Sequence, residues 1–457
     1  MKRIAKHLCH LVGFSTLALS GVVNAQSTTN APLSLPAVSV KAVSLIDGQT
    51  DWLSKVYKDI HQHPELAFME TRTAAIVAKE LKSLGFDVKT GIAETGVVGV
   101  LKNGDGPTIM FRADMDANAV EEATGLPYAS KVRVKLKDGT ETPVAHMCGH
   151  DAHVTWMLGM ARAMVALKKE WRGTIILVAQ PAEEEVTGAK AMVSEGLWSK
   201  YNIPKPDYFF AVHTVPAPVG IVINAPGPRM AGTDQVDVLF KGVPGHGSMP
   251  HLSKNPIYMA TNAITEYQSI GSNVVSAQQP VVLSVGSIQA GSVNNVVPSS
   301  AMVKMNLRWF DPKAREAMVN RIHLVSEGVA QMQGMPKEQL PQITLKGSTT
   351  PVVNHKEFST RLNAPLKALL GENKVLTDYP AFMGSEDVHH LLGEHNDVPF
   401  NFMFVGVADP VVFANAIKQG KQMPYVPHSS EFMVDLKALP VGVKVITVSM
   451  LELLNKQ

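Results

Sequence analysis

Residues 146–153, His-Met-Cys-Gly-His-Asp-Ala-His, bring three histidines, a thiol and a carboxylate into eight positions. Packing alone does not explain that density. Cys148 and His150, separated by one glycine, can point at one ion as soft and borderline ligands. Asp151 suits the N-cap of an amphipathic helix over about 152–167. His146 and His153 read as supports for the ligands or as helix-surface residues. Asp114 and Asp116, at i and i+2 after an apolar run, face one side of an extended chain and alone read as a solvated strand end. Gln180-Pro181-Ala182-Glu183-Glu184-Glu185 sets three adjacent carboxylates at the end of another apolar run. Such a trio repels itself and needs cations or solvent nearby, although Glu185 also suits the first turn of a helix. His213 closes the run 208–212, a place usually held by a satisfied core histidine.

Together these groups are too many for one zinc ion and suit a two-metal hydrolytic centre. Two other classes of function use the same residues. Cys148 could be a nucleophile with His150 or His213 as its base, which leaves the carboxylates without a role. A binding protein could keep the scaffold without turnover. Activity that survives chelation but not thiol alkylation would favour the nucleophile.

The elements that must hold these residues are short, continuously apolar runs at 97–101, 108–112, 174–179, 208–212 and 400–405. They read as buried strands of a sheet covered by helices on both faces, with the reactive residues at the strands' C-terminal ends, where open α/β sheets build their sites. Helical spacing runs from Trp52 to about Leu84, with a break at His63-Pro64, and Gly85 suits the C-cap. Residues 229–347 have a different rhythm: strand 234–241, helix 255–269, strands 281–289 and 301–309, helix 312–333 and strand 342–345. That β-α-β-β-α-β order is ferredoxin-like. The expected fold class is α/β with two domains, a sheet-based catalytic domain (43–228 and 348–457) and an inserted α+β domain (229–347). Within the insertion, His246 between two glycines reads as a tight turn and Arg308 as an exposed strand charge. Residues 131–144 read as an exposed hairpin around Asp138-Gly139.

Of 457 residues, 45% are hydrophobic and 18% charged, which excludes a disordered chain or a coiled coil. A net charge of +2 gives no reason to expect a nucleic-acid partner. Residues 1–25 have the form of an export signal: Lys2, Arg3 and Lys6, then an apolar run of roughly a dozen residues, too short for the ~20 of a membrane span, then Val23-Asn24-Ala25 as a cleavage site. Cleavage would leave 39 basic against 40 acidic residues and remove Cys9. The exported protein, periplasmic or secreted, would then carry Cys148 alone, unable to form an internal disulfide. Residues 26–42, rich in Ser, Thr, Pro and Ala, read as a flexible leader. No other apolar run is long enough to span a bilayer, so a soluble protein is expected.

From about His61 to the C-terminus the sequence resembles the dinuclear metallohydrolases related to aminoacylase and carboxypeptidase G, in the branch of auxin-conjugate amidohydrolases and hippurate hydrolases. The resemblance rests on His63-Pro64-Glu65-Leu66, Arg112-Ala113-Asp114-Met115-Asp116, Cys148-Gly149-His150-Asp151, Pro181-Ala182-Glu183-Glu184, Gly245-His246-Gly247-Ser248-Met249-Pro250-His251, Asn295-Val296-Val297-Pro298, Gly384-Ser385-Glu386-Asp387 and Pro427-His428. It implies two divalent ions per subunit held by Cys148, His150, Glu184, His213 and His428, with zinc preferred and manganese, cobalt or nickel as alternatives. Glu183 is implied as general base and His246 as the residue that steadies the oxyanion, in some relatives from the partner subunit. Asn295 and Arg308 match substrate-binding positions, and the inserted domain matches a lid and dimerisation domain, implying a homo-oligomer. The implied reaction is hydrolysis of the amide of an N-acyl amino acid or similar conjugate, with dipeptidase or carboxypeptidase action as the alternative. His428 is legible only through the resemblance. Ser429-Ser430-Glu431-Phe432-Met433 follows it where the family has Asn-Pro-x-Phe.

Overall fold

The large sheet follows from the apolar runs. A computed structural model of the chain describes residues 34–454. Eight strands lie in the spatial order Asp87–Ile92, Gly96–Asn103, Gly173–Gln180, Thr108–Asp114, Tyr208–Pro218, Phe400–Ala408, Val222–Ile223 and Val375–Leu376. The central four pair in parallel, with Asp114 opposite Gln180 and His213 opposite Phe404, so their C-terminal ends share one edge. Alternate residues serve opposite faces: Ile109 and Phe111 pack into one core with helix His150–Ala166 and helix Ala438–Leu454, while Met110 and Val178 pack into the other with Met192 and Leu391. Burial on both faces is why these strands read as unbroken apolar runs.

The second unit has its own core around Phe240, Tyr267, Leu307 and Met318. Its strands lie in the order Val282–Ala290, Ser300–Trp309, Gly232–Lys241, Gln342–Thr349, all antiparallel, with helices Pro256–Tyr267 and Pro312–Met332. This is the ferredoxin-like arrangement. The buried–exposed alternation along Ser300–Trp309 reflects helices on one face only. The chain enters along Gly227–Met230 and returns along Val352–Asn354, and these two strands pair with each other. Arg133–Lys135 and Glu141–Pro143 form the expected hairpin.

The leader reading needs correction at its C-terminal end. Ala37–Asp47 is a helix, entered from Pro36, with Ser39, Ala42 and Ile46 buried. Its small and apolar residues recur at helical spacing against Ala438–Leu454, a packing partner that composition alone cannot reveal. The export-signal reading for 1–25 lies outside the described residues. No helix among the described residues is long and apolar enough to cross a membrane.

Candidate metal centre

The sheet's C-terminal edge and two turns supply the site. Gly149 lies between Cys148 and His150 with φ +85°, and a Cβ there would sit 2.7 Å from the Thr214 side chain. Glycine meets both demands, and the tight turn opens helix His150–Ala166. The Thr214 hydroxyl donates to the Cys148 carbonyl at 2.6 Å. His428, with φ 66°, arrives from the far end of the chain, and its N–H donates to the Met147 carbonyl at 2.8 Å. Thus one turn is docked on the other by backbone.

The sequence-predicted ligands come together. Ligand atoms of Cys148, Glu184 and His428 lie within 4.8 Å of one another, as do those of His150, Glu183 and Glu184. Cys148 Sγ is 3.6 Å from His213 Nε2, and His428 Nε2 is 3.3 Å from Glu184 Oε2. His213 Nδ1 donates to the Thr214 carbonyl at 2.7 Å, which leaves Nε2 as the free lone pair. His150 Nδ1 lies 2.8 Å from the Asp116 carbonyl. Its Nε2 then faces Glu183 and Glu184, each at 3.8 Å, without a hydrogen-bond partner. Glu184 Oε1 is likewise buried and unpartnered. Orphaned buried acceptors beside a thiol match a divalent-ion site, with the outer nitrogens of the histidines anchored as metal ligands usually are.

Electrostatics point the same way. Burial and Glu184 push the Cys148 thiol up, but His213 and His150 outweigh them and bring it to about 6. Burial raises Glu184 too, yet His428 and His150 hold it at about 2. Burial opposes a charge on His150, but Asp114 and Cys148 override it and raise its pKa. The Cys148 thiolate and the Glu184 carboxylate are thus both favoured by positive charge at the site.

Asp114 and Asp116 are not a solvated strand end. Both are buried, because Arg112 donates to Asp114 Oδ2 at 2.6 Å and the Glu184 N–H donates to Asp116 Oδ2 at 2.9 Å. His153 is buried as well, which removes the helix-surface reading. Its Nδ1 meets Asp114 Oδ1 at 2.5 Å and its Nε2 accepts the Thr214 N–H at 2.8 Å. With both nitrogens engaged it supports the ligands, and burial lowers its pKa to about 3 despite Asp114. Gly149, not Asp151, is the N-cap. Asp151 instead binds His61 Nδ1 at 2.6 Å, and Glu122 takes His61 Nε2 at 3.2 Å.

Glu183 is buried, and the residue before it, Ala182, has φ 53°. Burial, then Glu386 and Glu184, push the Glu183 pKa well up. Sequence reasoning gave no role to the network behind it. Arg112 binds Glu386 at 2.9 Å and Gln180 at 2.8 Å, and Gln180 binds Asp387 at 2.6 Å. The Gly384-Ser385-Glu386-Asp387 motif was the available signal.

His246 and Asn295 stand apart from these ligands. His246 is exposed on a two-residue ladder with Val296, its Nδ1 2.8 Å from Ser248 Oγ, while the Asn295 carbonyl accepts the Gly247 N–H at 2.8 Å. No contact joins either residue to the ligand set among the described residues. Arg308 is half-buried and not the exposed charge read from the sequence. It donates to Asn306 Oδ1 and Ser385 Oγ, both at 2.6 Å.

Residues 110–447 match the family described as peptidase family M20/M25/M40. The chain belongs to this family. It is 36% identical to the hippurate hydrolase of Campylobacter jejuni subsp. jejuni over 73% of this chain and 83% of that protein. It is 30% identical to the IAA-amino acid hydrolase ILR1-like 4 of Arabidopsis thaliana over 86% and 83% of the two chains. A dinuclear metal-binding M20 peptidase of Bacillus subtilis superposes with a TM-score of 0.68 at 25% identity, over 88% of this chain and 97% of that one. This M20 chain is a metal-dependent hydrolase of amide bonds.

Proposed function

We propose that the protein hydrolyses N-acyl amino acids or closely related conjugates, with Glu183 as general base. Cys148, His150, Glu184, His213 and His428 would hold two divalent ions, and zinc suits this thiolate, imidazole and carboxylate set best. When bound, such a pair polarises the scissile carbonyl and acidifies a water. Glu183 takes a proton from that water and delivers it to the departing amine nitrogen as the C–N bond breaks. Arg112 and Gln180 fix Glu386 and Asp387 behind Glu183, and burial, then Glu386 and Glu184, strengthen its hold on a proton. Arg308 would read the free carboxylate of the substrate through its planar fork. The reading is carried by Glu183, a buried carboxylate 3.8 Å from the unpartnered His150 Nε2 and next in sequence to Glu184. A panel of N-acyl amino acids and dipeptides, assayed with zinc, manganese, cobalt and nickel, tests it. Faster turnover of the N-acyl amino acids supports it, and exclusive turnover of dipeptides makes the protein a dipeptidase.

We also infer a homo-oligomer built through the inserted unit, with His246 steadying the oxyanion and Asn295 binding substrate in a neighbouring copy's site. Supporting this, Met249, Leu252 and Val296 are exposed beside His246, Tyr258 and Val293 are exposed on the same unit, and Val282–Ala290 is an edge strand. Sedimentation equilibrium that returns a monomer would reject it. Export, with loss of residues 1–25, is tested by the N-terminal sequence of the mature protein.

A further inference from the structure

Arg229 lies on Gly227–Met230, the strand that leads into the inserted unit. It is 5% exposed, yet its Nε has no hydrogen-bond partner and its Nη1 donates only to the Tyr379 carbonyl, at 2.8 Å. No carboxylate pairs with it among the described residues, Asp378 beside Tyr379 included. Arg112, equally buried, meets Asp114, Glu386 and Asp387, and Arg315 meets Asp234. A guanidinium withdrawn from water without a counter-charge is costly.

Arg308 is a second guanidinium with neutral partners only, Asn306 and Ser385. Both arginines hold the same segment, 379–385. Ser385 Oγ, gripped by Arg308, donates to the Ala231 carbonyl at 2.8 Å, two residues along from Arg229. That segment continues into Glu386 and Asp387, whose carboxylates lie beside Glu183. A row of rings leads the same way: Tyr379 packs on Phe382 at 5.5 Å, Phe382 on Phe404 at 4.7 Å, and Phe404 lies opposite His213 in the sheet. Arg229 and Arg308 are thus two guanidiniums without a counter-charge, both bound to the segment that runs into Glu386 and Asp387.

We propose that Arg229 binds a second carboxylate of the substrate, so that the preferred substrates are amides carrying two acidic groups. This rests on the amidohydrolase reading above, in which Arg308 takes the first carboxylate. The second acid can belong to the amine half or to the acyl half of the substrate.

The test assays the metal-loaded full chain in matched pairs. N-acetyl-glutamate against N-acetyl-glutamine probes the amine half, and N-succinyl-alanine against N-succinamoyl-alanine probes the acyl half. In one pair the acid should be preferred by at least ~10-fold in kcat/KM. Arg229→Gln should erase that preference through KM while leaving the neutral member within about twofold. Arg229→Lys, which keeps the charge but not the fork, should retain part of it and covers the case in which the glutamine variant does not fold. Absence of preference in both pairs, or equal loss for acid and neutral members, overturns the proposal. If the wild type turns over no amide at all, the amidohydrolase reading fails separately, and calorimetric binding of glutarate against glutaramate then decides Arg229. Glutarate weakened by at least ~10-fold in Arg229→Gln upholds the anion site, and unchanged binding rejects it.

Discussion

His150 Nε2 and Glu184 Oε1 face each other at 3.8 Å, both buried and neither with a hydrogen-bond partner. Two buried polar atoms without partners are a costly arrangement for a fold to keep. A cation bound by both removes the cost, so metal removal should lower thermal stability as well as activity. The melting temperature should rise with added zinc in proportion to occupancy, and a melting temperature indifferent to chelation would count against the site.

Cys148 carries the thiolate of the set, brought to about 6 by His213 and His150 against burial. Cys148→Ser replaces a soft ligand with a weak one, so elemental analysis should find metal content below the wild-type stoichiometry. Unchanged stoichiometry would remove Cys148 from the ligands.

Gly149 and Gly139 share a left-handed backbone, with φ +85° and +88°, but only at Gly149 would a Cβ meet a neighbour, the Thr214 side chain at 2.7 Å. Gly139→Ala should cost about 1 kcal/mol for the left-handed backbone alone. Gly149→Ala adds a clash and should cost about 1–3 kcal/mol more and lower metal content. Equal melting temperatures for the two variants would show that the Cys-Gly-His turn is not held by Thr214.

His61 is held between Asp151 and Glu122. Burial works against its charge, but these two acids outweigh it and raise its pKa to about 9. The folded value exceeds the unfolded one near 6.5, so the stabilisation is complete below about pH 6.5 and is lost as pH rises through 9. It amounts to about 3 kcal/mol. Denaturant titrations should show stability falling over that window, and His61→Gln should flatten the fall. An equal slope in both proteins would contradict the clamp.

Arg308 has only neutral partners. Arg308→Ala should raise KM much more for free-acid substrates than for their carboxamides, and matching effects on both would reject its role as a carboxylate reader.

The parts legible in the sequence were those set by local pattern. Runs such as 174–179 are buried on both sheet faces, so they are apolar throughout, and the metal turn shows itself because Cys148 and His150 are near neighbours. What stayed hidden depends on distant contacts. His428 reads from its own surroundings as a loop histidine and is a candidate ligand only through the resemblance, because what brings it to the site is its N–H docking on Met147, roughly 280 positions away in the chain. Asp151 resembled a cap locally, but His61 from a different helix claims it. Arg112 read only as the end of a strand until Glu386 and Asp387 supplied its partners. Ala37–Asp47 was masked by a leader-like composition, its partner lying at the other end of the sequence.

The central claim is that Glu183 moves the proton while its neighbours hold the metals. The most direct measurement is kcat of Glu183→Gln together with its metal content. Glutamine keeps the shape and removes the base, so kcat should fall at least ~100-fold with metal content unchanged. Near-normal turnover in a fully loaded Glu183→Gln protein would contradict the account.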